Sequence, residues 1–163
     1  MIKSTVKLEH WLGKRYCDSS VFAKLSKEFA SNKPFPHLML SDFFQSEKVA
    51  DLLEALSKEE FYEKNSDLFN LKQTNDLLAS KSKILQEFRS LFLSESFLLL
   101  LEKITGLTLK RDVLDLHGSL YEDTDYLLCH DDQLEGRALA FIYYLSDFEE
   151  ADGGSLNLFA SHN

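Results

Sequence analysis

His130 and Asp132 stand two residues apart in the run His130-Asp131-Asp132. At the end of a strand, a His and a carboxylate at that spacing can point to the same side and ligate one metal ion. Two His and one carboxylate on one face of an octahedron hold Fe(II) and leave the other positions open for a co-substrate and O₂. This pair would supply two of those three ligands. The plainer reading is a solvated turn rich in acid, and the tripeptide alone does not separate the two. Its setting bears on the choice: the pair follows the apolar Tyr126-Leu127-Leu128 and precedes a long apolar run, Ala138 to Leu145, which carries Tyr143 and Tyr144 near its end. On spacing alone those tyrosines read as core or rim aromatics. Cys129 alternates away from His130, which predicts a buried apolar role rather than metal ligation. His37 and His117 read as structural, Arg137 as a surface or salt-bridge residue, and the acidic run Asp147 to Asp152 as a solvated turn.

The elements that must position this pair divide along the chain. Ser19 or Ser20 can cap a helix with Val21, Phe22, Leu25 and Phe29 on one stripe, and Asn32 to Pro36 ends it. Ser46 can cap a second helix that faces a core with Val49, Leu52, Leu53 and Leu56. From Phe61 to Leu78 the pattern is irregular and polar, which predicts a long loop. A third helical region runs from about Ser80 to Ile104, with a break near Ser94 and Gly106 as its stop. Beyond it the period changes from helical to alternating. Leu114, Leu116, Gly118 and Leu120 alternate with polar residues, and further strands are predicted at Tyr126 to His130, Arg137 to Ser146 and Ser155 to Ala160. Gly118 is expected to make room for a close approach. Gly136 and Asp152-Gly153-Gly154 supply turns. The expected class is α+β, with helical support over about 19–106 and strands over about 107–160 in a sandwich or jelly roll. The sequence stops at Asn163 with a strand barely finished, so 1–163 is expected to be a single, incomplete domain.

Composition narrows the function. The 163 residues carry 18 Lys and Arg against 27 Asp and Glu, a net charge of −9, which works against phosphate-backbone binding. Nucleic acid is not an expected direct ligand. Hydrophobic residues make up 44% of the chain, enough for a packed core. Two cysteines, Cys17 and Cys129, cannot build a disulfide framework or a four-thiolate zinc site. No apolar run approaches the ~20 residues of a membrane span, and Lys3, Lys7 and Glu9 interrupt the place of a signal sequence. No membrane association is expected.

The run Tyr126-Leu127-Leu128-Cys129-His130-Asp131-Asp132-Gln133-Leu134-Glu135-Gly136-Arg137, continued by Ala140-Phe141-Ile142-Tyr143-Tyr144-Leu145 and Gly153-Gly154-Ser155-Leu156, closely resembles the prolyl 3,4-dihydroxylase family. These are 2-oxoglutarate- and Fe(II)-dependent oxygenases, a group that includes the yeast termination-and-polyadenylation protein and its animal counterparts. The likeness extends upstream through Pro34-Phe35-Pro36-His37, Phe61 to Phe69 and Gln86-Glu87-Phe88-Arg89-Ser90. It implies a double-stranded β-helix (jelly roll) buttressed by N-terminal helices, and an enzyme that hydroxylates a prolyl residue of a small-subunit ribosomal protein in the cytoplasm or nucleus. It also implies Fe(II), 2-oxoglutarate and ascorbate as cofactors. Carried over by position, His130 and Asp132 would be iron ligands, Tyr144 would hydrogen-bond a carboxylate of 2-oxoglutarate, and Tyr121 would line the same pocket. The family's third ligand, a distal His, and its 2-oxoglutarate-binding Arg have no counterpart here. His162 follows the double glycine too closely to take the ligand role. Two other readings stand beside this one: a truncated, non-catalytic protein-binding fragment of the same fold, and a cupin-like domain with a different metal.

Overall fold

The computed structural model describes residues 6–131 and 136–160. The described residues hold four α-helices. Helix α1 (Ser19–Ser31) starts at Asp18, whose Oδ1 accepts the Ser20 backbone N–H at 2.9 Å, so the cap is the residue before the expected serines. That bond holds the Asp18 carboxyl below its ordinary range. Helix α2 (Ser46–Leu56) buries Leu52 and follows Gln45, whose amide donates to the Glu9 and Leu12 carbonyls and ties the helix to the N-terminal segment. Helices α3 (Lys83–Phe92) and α4 (Glu95–Thr105) are separated at Ser94, whose hydroxyl caps α4 by accepting from the Phe97 N–H. Gly106 ends α4 in the left-handed conformation, φ 74°, that a residue without Cβ adopts at little cost. The pairs α1–α4 and α2–α3 pack together.

An aromatic cluster fills the core. Phe44 lies edge-on to Phe43, Phe88 and Tyr143, with ring centroids 4.9, 5.3 and 5.1 Å away. Phe92 stacks on Phe141 at 4.4 Å. Each such pair adds about 0.5–1.5 kcal/mol to the burial of the rings themselves. Phe141 and Tyr143 thus anchor the C-terminal segment on the helices.

The sheet differs from expectation in two places. The segment read as a loop is a hairpin of β1 (Phe61–Asn65) and β2 (Phe69–Thr74), paired from Phe61 with Thr74 to Asn65 with Asn70. Its turn is closed by Ser66, whose hydroxyl accepts the Leu68 N–H and whose own N–H donates to the Phe69 carbonyl. On its other side β2 pairs with the short β3 (Ser119–Leu120) and β4 (Tyr126–Leu127), both antiparallel. The second difference lies beyond β4. The runs expected as strands at 137–146 and 155–160 take no regular secondary structure and join no ladder among the described residues. The alternation is present in the first of them: Tyr143 and Leu145 pack on the core while Ile142 and Tyr144 are exposed. Alternation orients side chains, but a strand also needs a neighbour's N–H and C=O groups. The observed architecture is therefore mixed helix and antiparallel sheet. Gly118 meets its expectation: a Cβ there would lie 2.5 Å from Leu56 Cδ1, so its absence lets the sheet approach α2.

Candidate functional site

His130 lies just past β4, whose pairing continues beyond the strand through the Leu128 N–H to the Leu68 carbonyl at 2.8 Å. The hairpin turn therefore sets where the chain carrying His130 leaves the sheet. The imidazole is exposed, and its Nδ1 is 2.8 Å from the Leu128 carbonyl oxygen. A carbonyl can only accept, so Nδ1 is the donor in this contact. Metal-ligating histidines are commonly fixed in this way, one nitrogen donating to a carbonyl and the other ligating. Asp132, its expected partner, lies outside the described residues, as does His162.

Tyr144 is 46% exposed; its hydroxyl donates to the Gly154 carbonyl at 3.2 Å and its ring rests 5.2 Å from Phe148. The double-glycine turn thus supplies the phenol with a neutral acceptor that a bound carboxylate could replace. Tyr121 is half exposed, and burial pushes its phenol's pKa up, with Tyr144 and Asp125 adding to the rise. The two candidate co-substrate tyrosines therefore occupy one neighbourhood.

Tyr121 owes its place to the register of the sheet. Lys72 pairs with Leu120 and Asn70 with Tyr126, so the single residue Leu71 on β2 faces five residues, Tyr121 to Asp125, on the other side. These five bulge out of the ladder. Asp125 closes the bulge: Oδ1 accepts from Asn70 Nδ2 at 2.7 Å and Oδ2 from the Glu122 N–H at 2.9 Å. Asn70 is itself oriented by Asn65, whose amide donates to the Asn70 Oδ1 at 3.1 Å. Lys72 pairs with Glu122. Sequence reading missed Asn70 and Asp125. The turn cluster Asn65-Ser66-Asp67 between Phe61-Tyr62 and Phe69-Asn70-Leu71 was the available signal for the hairpin.

Among the described residues the His and acid group that assembles is elsewhere: Asp76, Asp115 and His117 bring their ligand atoms within 4.8 Å of one another. Each is already engaged. Asp76 Oδ1 accepts the Leu78 N–H at 2.7 Å and lies 3.6 Å from Arg89 Nε. His117 sits between the Thr74 carbonyl, 3.1 Å from Nδ1, and Asp115, 2.6 Å from Nε2. The Arg89 guanidinium beside Asp76 opposes a cation, so this group is a clasp joining β2, α3 and the segment before β3, in keeping with the structural role expected of His117. His37 is likewise held locally, Nδ1 facing the Phe35 carbonyl at 2.8 Å. Cys129 is exposed, which corrects the buried role expected of it: it lies two residues past β4, whose own residues are exposed, so no buried face extends to it.

A family model described as the 2OG-Fe(II) oxygenase superfamily matches residues 116–163, the segment that holds Tyr121, His130, Asp132 and Tyr144. Prolyl 3-hydroxylase OGFOD1 of Mus musculus is 41% identical over 131 residues, 77% of this chain and 23% of the mouse protein. The Xenopus laevis protein of the same name is 41% identical over 128 residues, 77% of this chain and 25% of that one. Prolyl 3-hydroxylase sudestada1 of Drosophila melanogaster is 35% identical over 136 residues, 78% of this chain and 25% of the fly protein. The chain thus spans about a quarter of the length of these relatives.

Proposed function

We propose, on the premise that this chain is homologous to the prolyl hydroxylases among the 2OG-Fe(II) oxygenases, that it carries part of the catalytic domain of a prolyl hydroxylase acting on a protein. His130 supports the reading most directly, because its Nδ1 lies 2.8 Å from the Leu128 carbonyl oxygen, the outer hydrogen bond that metal-ligating histidines commonly make. His130 and Asp132 would hold Fe(II), and the remaining ligand and the basic anchor for 2-oxoglutarate would come from residues beyond this chain. Those residues would also complete a jelly roll to which β3, β4 and the runs after them would belong. With O₂ as the oxidant, bound Fe(II) and 2-oxoglutarate would couple oxidative decarboxylation of 2-oxoglutarate to succinate and CO₂ to hydroxylation of a prolyl carbon, one oxygen atom of O₂ entering each product. The chain's own part is to bind and orient. Tyr144 would exchange its bond to the Gly154 carbonyl for one to a co-substrate carboxylate, a stronger acceptor because it is charged, with Tyr121 beside it.

A small-subunit ribosomal protein is the proposed substrate, ascorbate the proposed reductant, and cytoplasm or nucleus the proposed compartment. No helix among the described residues is long and apolar enough to cross a membrane. The test is His130→Ala and, separately, Asp132→Ala in the full-length protein. Each should abolish stoichiometric Fe(II) binding and 2-oxoglutarate-dependent prolyl hydroxylation while leaving the far-UV circular dichroism unchanged. Hydroxylation retained in Asp132→Ala would refute the assignment.

A further inference from the structure

A five-residue excursion from a sheet edge samples many conformations unless something closes it, and bulges beside functional sites commonly serve to re-aim a side chain. Here one carboxylate performs the closure at both ends. Asp125 Oδ1 is held to β2 by Asn70, and Oδ2 holds the backbone N–H of Glu122, the residue that follows Tyr121. The Asp125 N–H returns a bond to the Glu122 carbonyl at 3.0 Å, and Thr124 takes φ 70° to let the chain turn back. The side-chain pair of Lys72 and Glu122 is partly solvated and contributes less.

We propose that Asp125, oriented by Asn70, is a positioning residue for 2-oxoglutarate binding: it touches no reactant but fixes the bulge from which Tyr121 reaches the co-substrate beside Tyr144. This rests on the oxygenase reading above and extends it to the hairpin, which would otherwise have no part in the site. The network runs from Asn65 on β1 through Asn70 on β2 to Asp125 and then to the backbone next to Tyr121. Removing the Asp125 carboxylate releases both ends of the bulge, whereas removing the Asn70 amide releases only the sheet end.

The test is a double-mutant cycle in the full-length protein, comparing wild type, Asp125→Ala, Tyr121→Phe and the double variant in the KM for 2-oxoglutarate, alongside hydrogen exchange of the amides from 121 to 125. Asp125→Ala should raise KM about tenfold, the loss expected when one hydrogen bond to a charged group is given up, with kcat within about twofold. Exchange in the bulge should quicken while the β1–β2 amides keep their protection. On the Tyr121→Phe background the same substitution should leave KM unchanged. Asn70→Ala gives a smaller version of the same cycle and carries the test if Asp125→Ala fails to fold. Additive effects of Asp125 and Tyr121, or an unchanged KM in a bulge that exchanges faster, would overturn the positioning role while leaving the oxygenase reading intact. A wild-type protein that binds no 2-oxoglutarate would overturn both.

Discussion

Tyr144 illustrates how much one phenol can do. Its hydroxyl donates to the backbone carbonyl of Gly154 and remains accessible to a ligand. In the full-length protein Tyr144→Phe should weaken 2-oxoglutarate binding by roughly tenfold to a hundredfold, from the ~1.5–3 kcal/mol of a hydrogen bond to a charged group. The effect should appear in KM rather than in kcat, and steady-state kinetics at varied 2-oxoglutarate would show it; an unchanged KM would leave Tyr144 a packing residue. The types and spacing of His130 and Asp132 made them candidates in the sequence, whereas Tyr144 reads there as a core or rim aromatic and takes its expected role only from the family resemblance. Asp125 and Asn70 were not legible there, since an Asp in a turn and an Asn in a polar strand acquire a role only when a ladder brings residues 55 apart into contact. No local pattern encodes that pairing.

At the scale of elements, α4 and the chain after it are joined by Arg111, which pairs with Glu95 and Glu102 from the first and last turns of that helix. The guanidinium and the Leu109 N–H hold the Glu102 carboxyl at about 2, against an ordinary 4.5. A depressed carboxylate contributes stability that is fully present above its unfolded value and is lost as pH falls through its folded value. Wild-type stability should therefore fall between pH 4.5 and 2 in part through Glu102. Arg111→Ala should be less stable at pH 7 and show a shallower decline across that window, measured as urea midpoints at successive pH values; parallel profiles would show that the pairing does not act on Glu102. The helices themselves were readable. Ser94 and Gly106 punctuate α3 and α4 where expected, because caps and left-handed glycines are local devices. The hairpin was not, because Glu63, Lys64, Asn70, Lys72 and Gln73 give it a polar surface, and its stability comes from cross-strand pairs and the buried Leu71 and Thr74. The opposite error arose at 137–146, where a clear alternation lacks a partner strand among the described residues.

Over the whole molecule two long-range effects oppose each other. The net charge of −9 keeps copies of this 163-residue chain apart. Against it stands a set of large apolar side chains beyond β3 left facing solvent: Leu128, Ile142, Leu156 and Phe159 are each at least half exposed, and Leu127 and Tyr144 nearly so. Exposed apolar surface of this kind, beside strands with unpaired backbone groups, favours association. Salt decides the balance, since charge repulsion between copies is screened beyond about 10 Å at 0.1 M and about 3 Å at 1 M, whereas apolar contact is not weakened. The chain should therefore be nearest to monomeric at low ionic strength and form larger species as sodium chloride is raised, followed by light scattering after size exclusion. Ile142→Lys and Leu128→Lys, which place charge on that surface without touching the aromatic cluster around Phe44, should shift the onset to higher salt. Association that instead diminished with salt would mean that charge pairing, not the uncovered apolar surface, holds the copies together.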